Sequence, residues 1–394
     1  MIFQTIDDKS ECIGVYADGC LHYNNFPEDL SKTWKYTGSL TDSDVEYAWL
    51  YTGGKTLAEV CPEDLLPKLQ ISQKRSRAYI RSFEIAKIDL REHCIFDLEP
   101  EDYLKDFCEI KNKITQHVFE TYERPEVYEH QSEIQKLLYK ISYQRLNLSV
   151  SGCKNLHYSH RNSLKVKELV NGYRHIEYNL FGTVTGRLTT TQRSFPILTV
   201  KKDFRKLLKP NNDWFLSLDY NAAEVRTFIG LAGEEQPQED VHTWHIKNLI
   251  ADSISRTDAK VKFFAWLYNP DSAEKEFDRY HRQKVLDKWY DGTYIKTMFK
   301  RRIPVDRRKA LNYLIQSTTS DLVLERAVAI DKFLEDKKSF ISHIVHDEIV
   351  IDLADSEREM APQIREMFAN NKIGNFMVNL TCGKNYLEME ELKI

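Results

Sequence analysis

Apolar and polar positions divide the chain into zones of different period. Near the N-terminus, "MIFQTI", "CIGVYA" and "VEYAWLY" are short apolar runs separated by the turn signals "DDKS", "ADG" and "TGG", a pattern that predicts strands. From about residue 100 the period lengthens. Leu104, Phe107, Ile110, Ile114 and Val118 recur at three and four, and "EIQKLLYKISYQRLNL" continues this helical spacing. Residues 178–219 return to strands and turns and end in "WFLSLD". Residues 240–333 are again helical, and 340–394 read as strands flanking the helix "EREMAPQIREMFANN". The two later β zones can share one sheet, with the helical block between them as an excursion.

One predicted strand breaks its own pattern. In "HIVHDEIVIDL", residues 343–353, His346, Asp347 and Glu348 interrupt a run of strong strand formers. Acids are depleted from strand interiors, so these are either a solvated hairpin turn or a site. In "WFLSLDYNAAEVRTFIGLAG", Asp219 ends a strand and a helix follows, with Asn221 and Glu224 spaced as a capping box. If the two strands are neighbours, Asp219 and Asp347 meet, with Glu348 beside them. Close carboxylates repel unless a cation lies between them, and oxygen ligands of this kind suit Mg²⁺.

Two helical stretches carry polar stripes. Arg256, Lys260, Phe264 and Tyr268 in "RTDAKVKFFAWLY" are four apart, so each step drifts only ~40° around the helix. Two cations and two aromatics on one face can hold a triphosphate and stack a base. The alternative is an amphipathic helix with a Phe263, Phe264, Trp266, Leu267 and Tyr268 core and solvated cations. In "RRKALNYLIQSTTSD", Arg308, Asn312 and Gln316 have the same spacing. They form either an exposed polar stripe or a set of donors to minor-groove acceptors, which differ little among A·T pairs.

Hydrophobic content of 42% and charged content of 29% fit a globular protein, and 394 residues allow two or three domains. The net charge of −4 means that a polyanion would need local basic patches. Two are visible, "TVKKDFRKLLK" with Lys201, Lys202, Arg205, Lys206 and Lys209, and "FKRRIPVDRRK" with Arg301, Arg302, Arg307 and Arg308. The seven cysteines are scattered without a C-x-x-C, which predicts reduced thiols and no structural zinc. The N-terminus lacks the character of a signal peptide, and no apolar run approaches the ~18 residues of a membrane span. A cytoplasmic protein is expected.

Six segments, in this order, resemble the family A DNA polymerases, the class of bacterial DNA polymerase I. "GTVTGRLTT" is similar to the family's T-G-R-L-[ST]-[ST] signature. "SLDYNAAEVR" resembles motif A, "RTDAKVKFFAWLY" motif B, and "VHDEIV" motif C. "RRKALNYLIQSTTSD" is similar to the R-x-x-x-N-x-x-x-Q helix, and "TCGKNYLEM" echoes the G-x-N-W ending. The resemblance covers about residues 180–390. Single matches are weak; six in register are not.

The resemblance implies an α+β right-hand polymerase, with an antiparallel palm sheet, helical fingers and thumb, and a small mixed N-terminal module. It implies palm at 181–239 and 320–394, fingers and a template-contacting helix at 240–319, and a thumb-like helical region at 96–180. The implied activity is DNA-templated addition of dNTPs to a primer 3′-hydroxyl with two Mg²⁺ ions. Asp219 and Asp347 would hold the metals, with Glu348 nearby, and His346 would approach the primer terminus. Arg256 and Lys260 would neutralise the triphosphate, Phe264 would pack on sugar and base, and Tyr268 would shape the nascent-pair pocket. Glu224 would exclude the ribose 2′-hydroxyl. Arg187, Arg308, Asn312 and Gln316 would line the minor groove, and Lys201 and Lys202 would meet duplex phosphates.

The chain departs from the family at Phe263, Ala265 and Asn269, which stand where Asn, Gly and Gly are usual, and "QRSFPILTV" replaces N-L-Q-N-I-P. Asp97 and Glu99 offer the D-x-E of a proofreading exonuclease, but the helical text of 100–180 has no place for its other acids. Residues 1–95 are read as a degenerate remnant of that domain or as an unrelated module for a replication partner. Two other functions fit parts of the pattern: an inactive polymerase-like protein that binds primer–template, and a single-subunit RNA polymerase.

Overall fold

A computed structural model describes residues 1–394 except positions 10, 11, 24, 39–43, 91, 154, 155, 157, 251–253, 270 and 394. The chain divides into two compact units, Met1–Tyr139 and Lys140–Ile394.

In the first unit, β1 (Phe3–Lys9), β2 (Cys12–Ala17) and β3 (Cys20–Tyr23) form an antiparallel meander. Helix α1 spans Leu66–Ile85, α2 spans Glu101–Thr121, and the unit ends inside α3, Tyr128–Tyr143. The three-and-four spacing of α2 serves two partners. Ile114 and Val118 are buried with Trp34, Ala48, Val60 and Leu69. On the strand side, Gln4 donates to Asn112 Oδ1 at 2.9 Å and Tyr16 donates to Glu109 at 2.8 Å. This packing binds α2 to β1 and β2 in one body.

Two predictions for this unit need correction. "VEYAWLY" is a two-residue strand, Glu46–Tyr47, that turns into the short helix Ala48–Tyr51, because burying Ala48 and Leu50 outweighs strand propensity. Cys94 is disulfide-bonded, whereas Cys20, Cys61, Cys108, Cys153 and Cys382 are free thiols. Spacing along the chain does not report such a bond.

The second unit is built on a five-stranded antiparallel sheet. Its strands are β4 (Trp214–Tyr220), β5 (Phe340–Val345), β6 (Glu348–Leu353), β7 (Val378–Gly383) and β8 (Glu390–Glu391), ordered β5-β6-β4-β7-β8. The two β zones therefore do share one sheet. Strand β4 is central, and Leu216 and Leu218 on it are fully buried, as are Ile349 and Ile351 on β6. After α4 (His160–Gly172), the chain supplies α5 (Ala223–Ala232), α6 (Val241–Asn248), α7 (Arg256–Tyr268) and α8 (Arg282–Trp289). Helix α9 runs for 27 residues, Arg307–Phe333, and α10 spans Ala361–Ala369. Helices α9 and α10 pack against each other and on the sheet.

An aromatic core joins α5 and α7. Phe228, Phe263, Trp266, Phe277 and Tyr280 are buried together, and His245 stacks on Phe263 at 4.9 Å between ring centroids. Phe263 thus fills the space between the helices. No described helix is long and apolar enough to cross a membrane.

Candidate active site

The interrupted strand is a hairpin. Val345 pairs with Glu348, leaving His346 and Asp347 as a two-residue turn between β5 and β6. His346 has φ +57°, a left-handed conformation that favours glycine at the first position of such turns. Backbone strain of this kind clusters at functional sites. Across β4 and β6, Asp219 is in register with Glu348, and on its other side it faces Asn379, which donates to it at 3.2 Å.

The three acids differ in environment. Glu348 is fully engaged, accepting from Ser217 Oγ at 2.6 Å and from the Tyr386 hydroxyl at 2.8 Å. Burial, reinforced by the nearby Asp347, pushes the Asp219 carboxyl up to about 7. Burial also raises Asp347. These two carboxylates fit a hard divalent cation, whose charge would relieve the cost of ionising both. No group of three or more His, Cys, Asp or Glu able to hold a metal occurs among the described residues. Mg²⁺ does not need one, because it is commonly held by one or two carboxylates together with waters and substrate phosphates.

A cleft of about 450 Å³ opens beside the hairpin. Arg187, Glu224, Arg256, Lys260, Phe264, His346 and Asp347 line it, so seven residues singled out from four sequence segments converge there. Tyr268 stands behind Phe264, stacked at 5.8 Å, and donates to Glu224 Oε2 at 3.1 Å. Arg187 donates to the other oxygen of Glu224. The side chains of α7 divide between core and cleft. Phe263, Trp266 and Leu267 are core, while Arg256, Lys260 and Phe264 face the cleft.

Three expectations change here, at the Asn221 cap, at Arg301 and in the basic run 201–209. Asn221 and Glu224 form no capping box. Ala222 is the residue preceding α5, with φ +51° and no side-chain cap, and Asn221 instead donates to Asp240 at 3.0 Å. Arg308, Asn312 and Gln316 lie on one side of α9 outside the lining of the cleft, with Gln316 donating to Asn312 at 2.7 Å. Arg301 is not part of a surface patch. It is buried, bonded to Asp321 at 3.0 and 2.7 Å, and packed against Gly186, where a Cβ would come within 2.7 Å of the guanidinium. In the other basic run, Lys206 pairs with Glu388 and Arg205 lies over the Tyr386 ring, which leaves Lys201 and Lys202 as its exposed members.

The structure adds residues that the motifs did not reveal. Asp240 caps α6 through the Thr243 amide at 3.0 Å and receives both ends of the Arg256 guanidinium, at 2.9 and 2.6 Å. Burial opposes its ionisation, but the bonds from Arg256, Asn221 and Thr243 prevail and hold its pKa well below the usual range. His242 lines the cleft with both ring nitrogens lacking a hydrogen-bond partner, and burial lowers its pKa to about 4. Thr319 and Ser320 of α9 complete the wall, and Ser320 donates to the Gly186 carbonyl at 3.0 Å. The signal that could have found His242 is the helix-start aspartate two residues before it.

No protein-family profile matches the chain. Over 285 residues it is 25% identical to DNA polymerase I of Chloroflexus aurantiacus, covering 57% of this chain and 30% of that protein. Over 278 residues it is 24% identical to the thermostable DNA polymerase I of Thermus filiformis, covering 56% and 33%. The chain thus spans about a third of the length of the curated relatives it matches. Among solved structures it is similar to the POL domain of Pol1 from M. smegmatis, in complex with DNA primer-template and dNTP. The TM-score is 0.56 at 13% identity, over 73% of this chain and 76% of that one. The fold is accordingly the α+β fold of a polymerase domain. Over a little more than half its length the chain is similar in sequence to bacterial DNA polymerase I.

Proposed function

We propose that the chain is a DNA-templated DNA polymerase that adds dNTPs to a primer 3′-hydroxyl. The observation that carries this reading is the convergence of Arg187, Glu224, Arg256, Lys260, Phe264, His346 and Asp347 on one cleft. Their chemistry matches a nucleoside triphosphate and a primer end: cations for the phosphates, a ring for the base, a carboxylate against the sugar.

In this reading Asp219 and Asp347 would hold two Mg²⁺ ions, together with water and substrate phosphates. Bound there, the metal supplies stabilisation of charge on the attacking and leaving oxygens. The remaining roles belong to side chains. Arg256 exchanges part of its contact with Asp240 for the triphosphate, and Lys260, one helical turn on, adds the second charge. Phe264 stacks on the incoming nucleotide, with Tyr268 as the floor behind it. Glu224, braced by Arg187 and Tyr268, presents a fixed carboxylate where a ribose 2′-hydroxyl would project. Glu348, held by Ser217 and Tyr386, adds negative potential beside the metals. His346 is aimed at the primer terminus by its strained turn. The 3′-hydroxyl gives up its proton to solvent water, and its oxygen bonds to the α-phosphorus as the bond to pyrophosphate breaks. Positioning and electrostatics accomplish most of such a transfer.

The sheet of β4–β8, with residues 181–239 and 320–394, then serves as palm. Residues 240–319 serve as fingers with the start of the template-contacting helix, where Arg308, Asn312 and Gln316 meet the minor groove. The region 96–180 contributes thumb-like helices, Lys201 and Lys202 meet duplex phosphates, and residues 1–95 serve a replication partner. In this reading the enzyme works in the cytoplasm of a bacterial or phage-infected cell, a setting supported by its similarity to bacterial enzymes.

The test is extension of a labelled primer on a DNA template, with and without Mg²⁺, comparing wild type with Asp347→Asn. Mg²⁺-dependent extension that is lost in the variant supports the reading. Primer–template binding without extension in the wild type overturns it in favour of a binding protein.

A further inference from the structure

Helix α1 concentrates positive charge in a chain whose total is −4. Its 20 residues hold Lys68, Lys74, Arg75, Arg77 and Arg81 against the single acid Glu84. Only Leu69 and Ser72 of the helix are fully buried. One turn after another, Ile71, Lys74, Ala78, Arg81 and Ile85 recur at three and four and form a single exposed stripe, with Arg77 beside it. Arg75 leans over the Tyr103 ring at 5.0 Å. Among the described residues, Lys68, Lys74, Arg77 and Arg81 have no carboxylate partner, unlike Lys105, Lys113 and Arg124 of the same unit.

Three kinds of partner suit a basic helix, and the stripe separates them. A membrane surface or an apolar groove needs a continuous apolar face. Here the large exposed apolar side chains are Ile71 and Ile85, 65% and 76% exposed, at opposite ends of the stripe with Lys74, Ala78 and Arg81 between them. Between the two isoleucines charge dominates, with Lys74, Arg77 and Arg81 interrupted only by the small Ala78. From Lys68 to Arg81 the cations extend over roughly 20 Å of helix, a length that meets about six phosphates of one strand at ~3.4 Å each.

We propose that the exposed face of α1 is a second nucleic-acid contact, gripping the phosphate backbone of DNA independently of the cleft and without reading sequence. The inference rests on the polymerase reading for its choice of DNA. It assigns to the N-terminal unit a tethering role: α1 adds affinity, not chemistry. Phosphate contacts of this type position a protein and are strongly salt-dependent.

The test uses the full chain and the variant Lys74→Ala/Arg77→Ala/Arg81→Ala, whose sites are exposed, with an unchanged melting temperature as the control for folding. Primer–template affinity is measured by fluorescence anisotropy between 50 and 200 mM salt. The expected result is a slope of log affinity against log salt shallower by about 2–3, with binding weakened about tenfold at ~100 mM salt. The extension rate at saturating DNA should not change. Wild-type affinity and slope in the variant overturn the proposal while leaving the polymerase reading intact. So does loss of binding to phosphatidylserine vesicles with DNA binding unaffected, which would assign α1 to a lipid surface. A wild type that neither binds nor extends primer–template overturns the polymerase reading, and this inference with it.

Discussion

Asp219 stands opposite Glu348 across neighbouring strands, and the hairpin that carries Glu348 turns Asp347 back towards it. Burial and this proximity hold the Asp219 carboxyl at about 7, above its ordinary value near 3.9. A group whose pKa is raised on folding favours the folded state while protonated. Its contribution is fully present below about pH 4 and is lost as pH rises through about 7. Without divalent metal, wild type should therefore lose melting temperature relative to Asp219→Asn between about pH 4 and pH 7. Added Mg²⁺ should restore the wild type and leave the variant unmoved. Parallel melting curves would contradict the shift.

Asp240 has the opposite sign. Its pKa is depressed by Arg256, Asn221 and Thr243 against the cost of burial. Its stabilisation is present above about pH 4 and is lost as pH falls below that value. Asp240→Ala also removes the cap of α6, a loss of ~1 kcal/mol. The expectation is a lower midpoint in urea at pH 7 and a difference from wild type that narrows as pH falls below about 4.

Glu224 lies between Arg187 and Tyr268, so its carboxylate has little freedom to yield to a 2′-hydroxyl. Glu224→Ala should raise ribonucleotide incorporation relative to deoxynucleotide by about tenfold or more, the scale of ~1.4 kcal/mol. Single-nucleotide extension with matched rNTP and dNTP measures the ratio. An unchanged ratio would remove Glu224 from this role.

The buried Arg301–Asp321 pair fastens α9 to the Gly186 turn that precedes Arg187. Asp321→Asn leaves an unpaired guanidinium in the interior, at a cost of about 3–5 kcal/mol. Urea unfolding should show it as a large fall in midpoint. A loss below ~1 kcal/mol would mean that Arg301 finds solvent or another partner.

Much of the site was legible because its chemistry depends on periods along the chain. Four-residue spacing put Arg256, Lys260 and Phe264 on the cleft face of α7, and a broken strand marked the His346–Asp347 turn. The contacts that escaped are tertiary. Spacing alone suggested that Asn221 caps Glu224's helix, but the left-handed Ala222 diverts Asn221 to Asp240. A run of basic residues looked like one surface, yet Arg301 turns inward because Asp321, twenty residues on, offers a buried counter-charge. Helix α1 escaped because its apolar positions are few and broken by Ser, Gln and Arg.

The most direct measurement is single-nucleotide addition on four primer–templates that differ only at the templating base, each offered the four dNTPs separately with Mg²⁺. The account predicts addition of the complementary dNTP on each template, abolished by Asp219→Asn. Addition that ignores the template, or no addition despite tight primer–template binding, would contradict it.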